Sequence, residues 1–361
     1  MKVLHAAETI KGGVATVMRA LIEAQTKQYG ASNVTALVPA EQSAELPTPK
    51  PTQKRTFARS GRHPLAFFFF ARTLAQLVLR QKPHVVHLHS TFAGAIGRVI
   101  LLALRPWHKA QVVYCPHAFA FMIDTQPLYR SLFAWVEWLL APATSHIICV
   151  SEFEKNVAIS YGLPERKLVV VHNGVNAPAA KKTKDPFKAS RGHVRALFVG
   201  RFDHQKGFDT LQRAMAQLHG SPVHLTAVGG AVNGAAKPAQ VPNITYTGWL
   251  PAAQVAAYMA HAHVIVVPSR YEGFAMVPLE AMAHGKAVLA SNVTSLPEAV
   301  SHGKTGLLFA AGNAAALAGA LRDTPLASWQ TMGKAGFMNY QKHFTARRMA
   351  QATATLYGAG E

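Results

Sequence analysis

The sequence contains few acidic residues and almost no cysteine. Its 361 residues include 17 Asp and Glu against 37 Lys and Arg, which gives a formal net charge of +20 at pH 7. Such an excess indicates an anionic partner, whether nucleic acid, an acidic substrate or a membrane surface. The two cysteines, Cys115 and Cys149, each lie in an apolar run. A disulfide-rich secreted scaffold is therefore excluded, and we expect buried free thiols in a cytoplasmic protein.

Long apolar runs and Asp-x-Asp pairs are also missing. No window of eighteen consecutive apolar residues occurs, so we expect no membrane-spanning helix. Without an Asp-x-Asp pair, the chain has no obvious carboxylate platform for a divalent cation on a diphosphate. Half of the residues are nevertheless hydrophobic, and a chain of 361 residues is long enough for two domains. The composition therefore predicts a folded, two-domain globular protein.

Short apolar runs alternate with helical periodicity in both halves of the chain. The first half predicts strands at 3–6, 34–38, 85–89, 111–115, 146–150 and 168–171 and helices at 14–29, 64–79, 92–104, 128–140 and 153–161. The second half predicts strands at 194–199, 223–228, 244–247, 264–267, 287–291 and 306–309. This alternation is typical of parallel, doubly wound α/β sheets. We expect two Rossmann-like domains facing each other across a ligand-binding cleft.

The domain boundaries follow from a change in composition. A polar, Pro- and Lys-rich stretch at 176–190 has no apolar periodicity and is predicted to be a linker. We therefore place an N-terminal domain at 1–175 and a C-terminal domain at 191–343, followed by a helical tail at 344–361.

The region between Glu45 and Asp124 contains no acidic residue. Clustered aromatic residues, Phe67–Phe70, lie near the start of its helix 64–79. Basic residues beside clustered Phe suit a surface that enters the headgroup region of an anionic bilayer. The alternative is that the helix packs on a sheet while its charges face water. The basic residues are Lys50, Lys54, Arg55, Arg59, Arg62, Arg72, Arg80, Lys82, Arg98, Arg105 and Lys109.

Two carboxylates, Glu272 and Glu280, lie eight positions apart around an apolar run that contains Pro278. A predicted buried strand precedes this run, and proline suits the first turn of a helix, so Glu280 would lie near the positive end of that helix. One carboxylate on a loop, another on a first turn and free N–H groups between them can bind a polyol and a phosphate together. Taken singly, either carboxylate is more typical of a helix-dipole or solvated residue.

Glycine-rich turns follow two predicted strands. Gly12 and Gly13 lie between the first strand and its helix, and Gly200-Arg201 is followed by Lys206-Gly207 after the strand at 194–199. Glycine lets backbone N–H groups approach a phosphate closely. Two fixed cations would stabilise the negative charge that grows on a leaving phosphate.

Together these motifs resemble the retaining nucleotide-sugar glycosyltransferases of family 4, which have the GT-B fold and an E-x7-E signature. The resemblance implies that Arg201 and Lys206 contact the donor diphosphate, that Glu272 binds the sugar hydroxyls and that Glu280 binds the ribose. It also implies that the tail at 344–361 crosses back to the first domain. The further donor contacts that it implies are Gly12, Gly13, Gly200, Thr247, Gly248, Gly273, Phe274, Ala275, Met276 and Val277.

Histidine is the remaining candidate for chemistry. The resemblance implies a histidine near the sugar at His117, although Ala118 follows it in place of the Gly or Asp often found there. A capping or exposed histidine is the alternative for His117. His87 and His89 share one face of a predicted strand. A metal site needs more ligands than these two residues supply, so none is expected.

The family implies a retaining, metal-independent transfer that needs no cofactor. His117, Arg201, Lys206 and Glu272 would carry the reaction. The favoured donor is a UDP-sugar, with a GDP-sugar as the alternative, and the acceptor is a glycan or glycolipid. We expect a role in bacterial cell-surface polysaccharide or lipopolysaccharide synthesis at the inner face of the cytoplasmic membrane, without a nucleic-acid partner. Two other hypotheses stay open: a sugar-nucleotide epimerase on the same fold, and a basic nucleic-acid-binding protein.

Overall fold

The structure is a computed structural model that describes residues 1–47, 53–59, 61, 63–122, 126–179, 183–187, 193–231 and 239–358. It divides into two compact units, Met1–Gly174 with Ala346–Glu361, and Val175–Thr345. Each unit contains one wholly parallel sheet flanked by helices. The predicted class, two Rossmann-like α/β domains, is confirmed. Lys50 and Arg62 of the basic region, and parts of the predicted linker and tail, lie outside the described residues.

The first unit contains a seven-stranded parallel sheet in the order β3-β2-β1-β4-β5-β6-β7. Chain connections leave β1 and β4 in opposite directions, so a topological switch point lies between these two strands. The strands are β1 Val3–Ala7, β2 Val34–Pro39, β3 Lys54–Phe57, β4 Val85–His89, β5 Gln111–Cys115, β6 His146–Cys149 and β7 Leu168–Val170. The helices are α1 Gly13–Tyr29, α2 Pro64–Gln81, α3 Thr91–Ala103, α4 Pro127–Leu140 and α5 Glu152–Ser160.

Strand β3 is the element of this sheet that the sequence pattern missed. It lies at the edge of the sheet, and only Phe57 of its four residues is buried. An edge strand that carries Lys and Arg shows neither an apolar run nor a regular alternation. The central strands, by contrast, are buried on both faces and were predicted to within one or two residues.

The second unit contains six parallel strands in the order β10-β9-β8-β11-β12-β13, with its switch point between β8 and β11. The strands are β8 Val194–Arg201, β9 Val223–Gly230, β10 Ile244–Gly248, β11 Val264–Val267, β12 Ala287–Ser291 and β13 Gly306–Phe309. The helices are α6 Phe208–Gln217, α7 Ala252–His261, α8 Met276–Ala283, α9 Leu296–Ala299, α10 Ala314–Asp323 and α11 Leu326–His343.

The C-terminal helix α12, Ala346–Leu356, packs on α1 in the first unit. The predicted tail helix begins at residue 344, but α11 ends at His343 with Phe344 as its C-cap, and Thr345 pairs with Val175. The chain therefore leaves the second unit at Thr345, and α12 starts two residues later than predicted.

A buried ion pair joins α3 to α4. Arg98 donates from Nη2 to Glu137 Oε2 at 2.7 Å, and the Tyr114 hydroxyl donates to the other carboxylate oxygen at 2.9 Å. Both charged side chains are almost completely buried. Arg98 and Glu137 therefore point toward the core.

The aromatic run at the start of α2 divides between core and surface. Phe70 is fully buried and lies edge-on to Phe57, and Phe67 stacks on Phe92. Phe68 and Phe69 are exposed. Cys115 and Cys149 are buried and free, as predicted. Among the described residues, no helix is long and apolar enough to cross a membrane.

Candidate functional site

The predicted donor-site residues of the second unit lie at the carboxyl ends of its strands. Gly200 and Arg201 end β8, Gly248 ends β10, and the loop 268–275 follows β11. This edge, beside the β8–β11 switch point, is where open α/β sheets bind ligands. Gly229 and Gly230, which end β9 between these segments, were not predicted. Their position directly after the apolar run 223–228 is the signal that could have identified them.

Lys206 and Glu272 form the centre of the site. The Nζ atom of Lys206 lies 2.6 Å from Oε1 of Glu272, and the Ser269 hydroxyl donates to the same oxygen at 2.6 Å. The backbone N–H of Glu272 donates to the Thr294 hydroxyl at 3.1 Å. These contacts fix a carboxylate that is 7% exposed beside a cation that is 24% exposed. Ser269 and Thr294 were not predicted, because neither belongs to a charged or glycine-rich pattern.

Arg201 is held by its own loop. Its Nε lies 3.1 Å from Asp203 Oδ2, and its Nη2 donates to Gln205 Oε1 at 2.6 Å. The second oxygen of Asp203 accepts the backbone N–H of Lys206 at 2.9 Å. Asp203 therefore orients both cations of the site. The Arg201 side chain remains 42% exposed, so its guanidinium is accessible to an anion.

Close backbone packing sets the distance between the two loops. Gly207 adopts a φ of +64°, and a Cβ atom there would lie 1.9 Å from the carbonyl oxygen of Pro268. A Cβ atom at Gly229 would lie 1.8 Å from the carbonyl oxygen of Gly200. Only glycine permits these approaches. The first brings the Lys206 loop against the loop that carries Glu272, and the second brings the end of β9 against the end of β8.

A second ion pair clamps the same two loops. The guanidinium of Arg270 makes two hydrogen bonds of 2.6 Å to the carboxylate of Asp209, in the first turn of α6. The hydrogen bond from Arg270 is the main reason that the pKa of Asp209 lies below its ordinary value. Because a bidentate pair fixes both distance and orientation, it stiffens the frame around Lys206.

The start of α8 supplies donors and a carboxylate. The N–H groups of Met276 and Val277 have no partner within the helix, because first-turn amides never do. In the part of the chain that the structure describes, the Glu280 carboxylate has no hydrogen-bond partner. Burial raises its pKa. The Phe274 ring is buried and lies 5.7 Å from the Phe344 ring, so Phe274 can offer a ligand only its backbone.

The remaining predicted contacts of the second unit follow β10. The hydroxyl of Thr247 donates to the carbonyl of Gly248 at 2.9 Å, and Gly248 has a φ of +74°. Next to them the Trp249 ring is 60% exposed. An exposed aromatic ring at this edge offers a stacking surface for a planar base.

The other predicted site residues lie in the first unit, at the carboxyl ends of β1 and β5. Gly12 has a φ of +62° and precedes α1, whose N-terminus has no side-chain cap. Gly12 and Gly13 are both exposed. These free first-turn amides could accept an anion, and their role in donor binding stays a prediction.

His117 lies on a strained loop held by a buried carboxylate. His117 and Ala118 have φ values of +56° and +92°, which cost energy in residues other than glycine. Glu154 holds this loop by accepting the N–H groups of Ala118 and Phe119 at 3.0 and 3.2 Å, and that of Val150 at 2.6 Å. Burial raises the Glu154 pKa to about 7 in spite of these bonds. Glu154 was not predicted.

Both ring nitrogens of His117 contact groups inside the first unit. Its Nε2 lies 3.0 Å from His89 Nδ1, and its Nδ1 lies 3.6 Å from Cys115 Sγ. Burial lowers the His117 pKa to about 4, so the ring is neutral. A contact between this ring and a sugar stays a prediction, and it would have to compete with these internal partners.

A sheet edge that carries cations and glycines at the switch point of a doubly wound sheet is typical of α/β proteins that bind phosphorylated ligands. Comparison with known proteins identifies the family within this class. Residues 11–177 match the family model described as Glycosyltransferase Family 4, and residues 193–324 match the one described as Glycosyl transferases group 1. A protein of Klebsiella pneumoniae, described as an uncharacterized 41.2 kDa protein in cps region, is 35% identical over 314 residues. That match covers 85% of this chain and 86% of the relative.

Solved structures agree in fold. Sucrose-phosphate synthase from Thermosynechococcus elongatus superposes with a TM-score of 0.84 at 23% identity, over 99% of this chain and 98% of that one. HepE from Anabaena, in complex with UDP-glucose, superposes with a TM-score of 0.76 at 19% identity, over 99% and 100%. The chain therefore belongs to the family 4, group 1 glycosyltransferases and has the GT-B fold. It is a glycosyltransferase.

Proposed function

We propose that the protein transfers a sugar, with retention of the anomeric configuration, from a nucleotide-diphosphate sugar to a glycan or glycolipid. The observation that carries the proposal is the cluster of Lys206, Glu272 and Ser269, with Arg201 on the adjoining loop. Two cations suit a diphosphate, and a fixed carboxylate suits sugar hydroxyls. A UDP-sugar is the favoured donor, supported by the UDP-glucose bound in the HepE neighbour, with a GDP-sugar as the alternative.

In the proposed reaction, the bond between the anomeric carbon and the diphosphate oxygen breaks while the acceptor oxygen bonds to the same carbon. Attack comes from the face that the diphosphate leaves, and the acceptor proton passes to the departing phosphate oxygen. Negative charge grows on that phosphate, so Arg201 and Lys206 stabilise the transition state more than the ground state. Glu272 holds the sugar hydroxyls, and Glu280 accepts from the ribose hydroxyls.

The two cations also replace a metal in this proposal. The sequence has no Asp-x-Asp pair to hold a divalent ion on the diphosphate, whereas Arg201 and Lys206 lie at the edge where the diphosphate would bind. The transferase rate should therefore be unchanged by EDTA. A rate that falls with EDTA and recovers with Mg²⁺ would contradict this part of the proposal.

The first test is a thermal-shift titration with UDP, GDP, ADP and their sugar conjugates. One nucleotide series should raise the melting temperature of the wild type. The same nucleotides should not change the melting temperature of Lys206→Ala. The control Lys304→Ala, which replaces an exposed lysine, should respond like the wild type. NMR of the product then reports the anomeric configuration. An inverted product would refute retention, and release of an epimerised sugar would favour an epimerase.

We also propose that the first unit docks on an anionic membrane that carries the acceptor. Because Arg98 and Glu137 point inward, α3 and α4 present apolar side chains to the outside. α2 packs beside α3 and adds its own exposed residues. We call this set the apolar face: Leu65, Phe68, Phe69, Leu79, Val99, Leu102, Leu128, Tyr129, Leu132, Trp135, Trp138 and Leu139. So large an exposed apolar set marks an interaction surface.

A basic groove adjoins the apolar face and favours a bilayer as its partner. A cavity of about 440 Å³ at the end of α3 is lined by Lys82, Arg105 and Lys109 together with the exposed Trp107. Exposed tryptophan beside cations is typical of surfaces at the headgroup level of anionic membranes. Other basic residues of the sequence pattern serve the fold instead, since Arg98 pairs with Glu137 and Arg59 pairs with Glu8.

Vesicle co-sedimentation tests this docking. The protein should bind vesicles that contain phosphatidylglycerol more tightly than pure phosphatidylcholine vesicles. Trp135→Ser with Trp138→Ser should weaken binding, whereas the matched control Met338→Ser, an exposed apolar residue of the second unit, should not. Equal binding by the double variant would refute the apolar face, and binding to nucleic acid but not to vesicles would favour the nucleic-acid hypothesis.

A further inference from the structure

Three buried histidines meet at the switch point of the first sheet. His5 lies on β1 opposite His87 on β4, and His89 lies two residues further along the same face. All three are almost fully buried. Each offers one ring nitrogen, and these three atoms lie within 4.8 Å of one another. The sequence pattern indicates only His87 and His89, which are too few ligands for a metal site. The fold brings His5 beside them from a position more than eighty residues away.

The outward-facing ring nitrogens of the three histidines are all hydrogen-bonded. His5 Nε2 lies 2.7 Å from Gln25 Oε1 on α1, and His87 Nδ1 lies 2.6 Å from the Tyr357 hydroxyl, just beyond α12. His89 Nδ1 lies 3.0 Å from His117 Nε2. Histidines that bind a metal use the second nitrogen in this way, since the outer hydrogen bond orients the ring and increases its basicity.

The inward-facing ring nitrogens of the three histidines have too few hydrogen-bond partners. In the part of the chain that the structure describes, His87 Nε2 is buried without a hydrogen-bond partner. His5 Nδ1 and His89 Nε2 lie 2.9 Å apart and can share only one proton. A buried polar atom without a partner costs free energy unless something else binds it. Burial lowers the pKa of each of the three rings, which keeps them neutral and able to bind a metal.

We propose that His5 Nδ1, His87 Nε2 and His89 Nε2 bind one divalent transition-metal ion, of which Zn²⁺ is the best match. Three neutral imidazoles suit zinc and its neighbours, and they do not suit Mg²⁺ or Ca²⁺. An adjoining cavity of about 10 Å³, lined partly by His87, His89 and Cys115, is close to the size of one water molecule. A water in this cavity would complete the coordination, as in other three-histidine sites.

The metal would reverse a chain of hydrogen bonds. Without it, Gln25 Oε1 accepts from His5, so His5 Nδ1 accepts from His89 and His89 Nδ1 accepts from His117. With it, His89 Nε2 is a ligand, and its proton must move to Nδ1 and be donated to His117. The metal thus determines which nitrogen of His117 carries the proton, and it ties β1 and β4 to their neighbouring helices.

Metal content and Co²⁺ spectroscopy test the site. Wild-type protein stripped with a chelator should take up one equivalent of Zn²⁺ or Co²⁺, with the visible absorption of four-coordinate cobalt and a higher melting temperature. His87→Gln should lose this uptake, whereas His219→Gln, an exposed histidine of the second unit, should keep it. Wild-type protein that stays folded without binding either ion, or equal binding by His87→Gln, would overturn the proposal.

A second variant covers a failure of His87→Gln to fold. Tyr357→Phe removes only the outer hydrogen bond to His87 and should weaken metal affinity about 10- to 100-fold. Unchanged affinity in this variant would also overturn the proposal. Nucleotide-dependent thermal shifts report on Lys206 in the other unit. They therefore separate a failure of the metal site from a failure of the proposed transferase site.

Discussion

Replacing Lys206 with methionine separates a catalytic role from a structural one. The substitution keeps most of the apolar stem and removes the ammonium group that lies 2.6 Å from Glu272. The Glu272 carboxylate loses its counter-ion but keeps its hydrogen bond from Ser269. Since the lysine is 24% exposed, the loss of stability should be about 1–2 kcal/mol, less than the 3–5 kcal/mol of a fully buried pair.

The effect on the reaction should be larger than the effect on stability. If Lys206 faces the phosphate on which charge grows, its removal resembles the loss of one oxyanion-hole donor. Such losses lower kcat by about 10²–10³-fold, or about 2.7–4 kcal/mol in the transition state. Lys206→Arg keeps the charge and should recover part of the rate, because a guanidinium also binds phosphate but cannot occupy the same point.

The assay is the release of nucleoside diphosphate with the donor identified by thermal shift, together with urea denaturation of each variant. Lys304→Met, an exposed lysine in the same unit, is the matched control and should leave both quantities unchanged. If Lys206→Met keeps kcat/KM within about threefold of the wild type while losing the expected stability, the cation is structural and the reasoning is refuted.

Three further predictions concern stability. Arg98→Met should cost about 3–5 kcal/mol in urea denaturation, because it leaves the Glu137 carboxylate buried without its counter-ion. Because the folded pKa of Glu154, about 7, lies above the ordinary 4.5, ionising this residue weakens the folded state. Its contribution to the free energy of unfolding should be greatest below pH 4.5 and should fall as the pH rises through 7. Gly207→Ala should lower both stability and activity, since its Cβ would lie 1.9 Å from the Pro268 carbonyl.

Matched variants make these three predictions specific. The double variant Arg98→Met, Glu137→Leu should recover most of the lost stability, because no charge is left buried. Glu154→Gln cannot ionise, so the difference between wild type and this variant isolates its titration from that of the buried histidines. Gly220→Ala has a similar positive φ but open space around it, and it should cost only about 1–2 kcal/mol of backbone strain. Equal losses at Gly207 and Gly220 would contradict the packing argument.

The two-domain α/β class and most strand positions were predictable because the sheets are buried on both faces. Residues 85–89 and 264–267, for example, are continuous apolar or histidine-bearing runs whose ends match the observed strands. The exceptions have physical causes. β3 lies at the edge of the sheet, where most of its side chains face water and need not be apolar. The Phe67–Phe70 run divides between core and surface, because successive helical residues point in different directions.

The proposed donor site was predictable as far as its residues form local patterns. Gly200, Arg201 and Lys206 lie within one turn, and Glu272 precedes a helix start, so each could be recognised from its neighbours. Ser269, Asp203 and Thr294 could not be recognised in this way. They are ordinary polar residues, and only their hydrogen bonds to the charged cluster show that they support it.

By itself the sequence determines where strands, helices and glycine turns occur, because these depend on residues adjacent along the chain. Only the tertiary structure decides which distant residues meet. Lys206 reaches Glu272 across 66 positions, and His5 reaches His89 across 84. Such contacts depend on strand order and register, which no local pattern encodes. The same packing turns Arg98 and Glu137 inward, which leaves apolar side chains of α3 and α4 exposed.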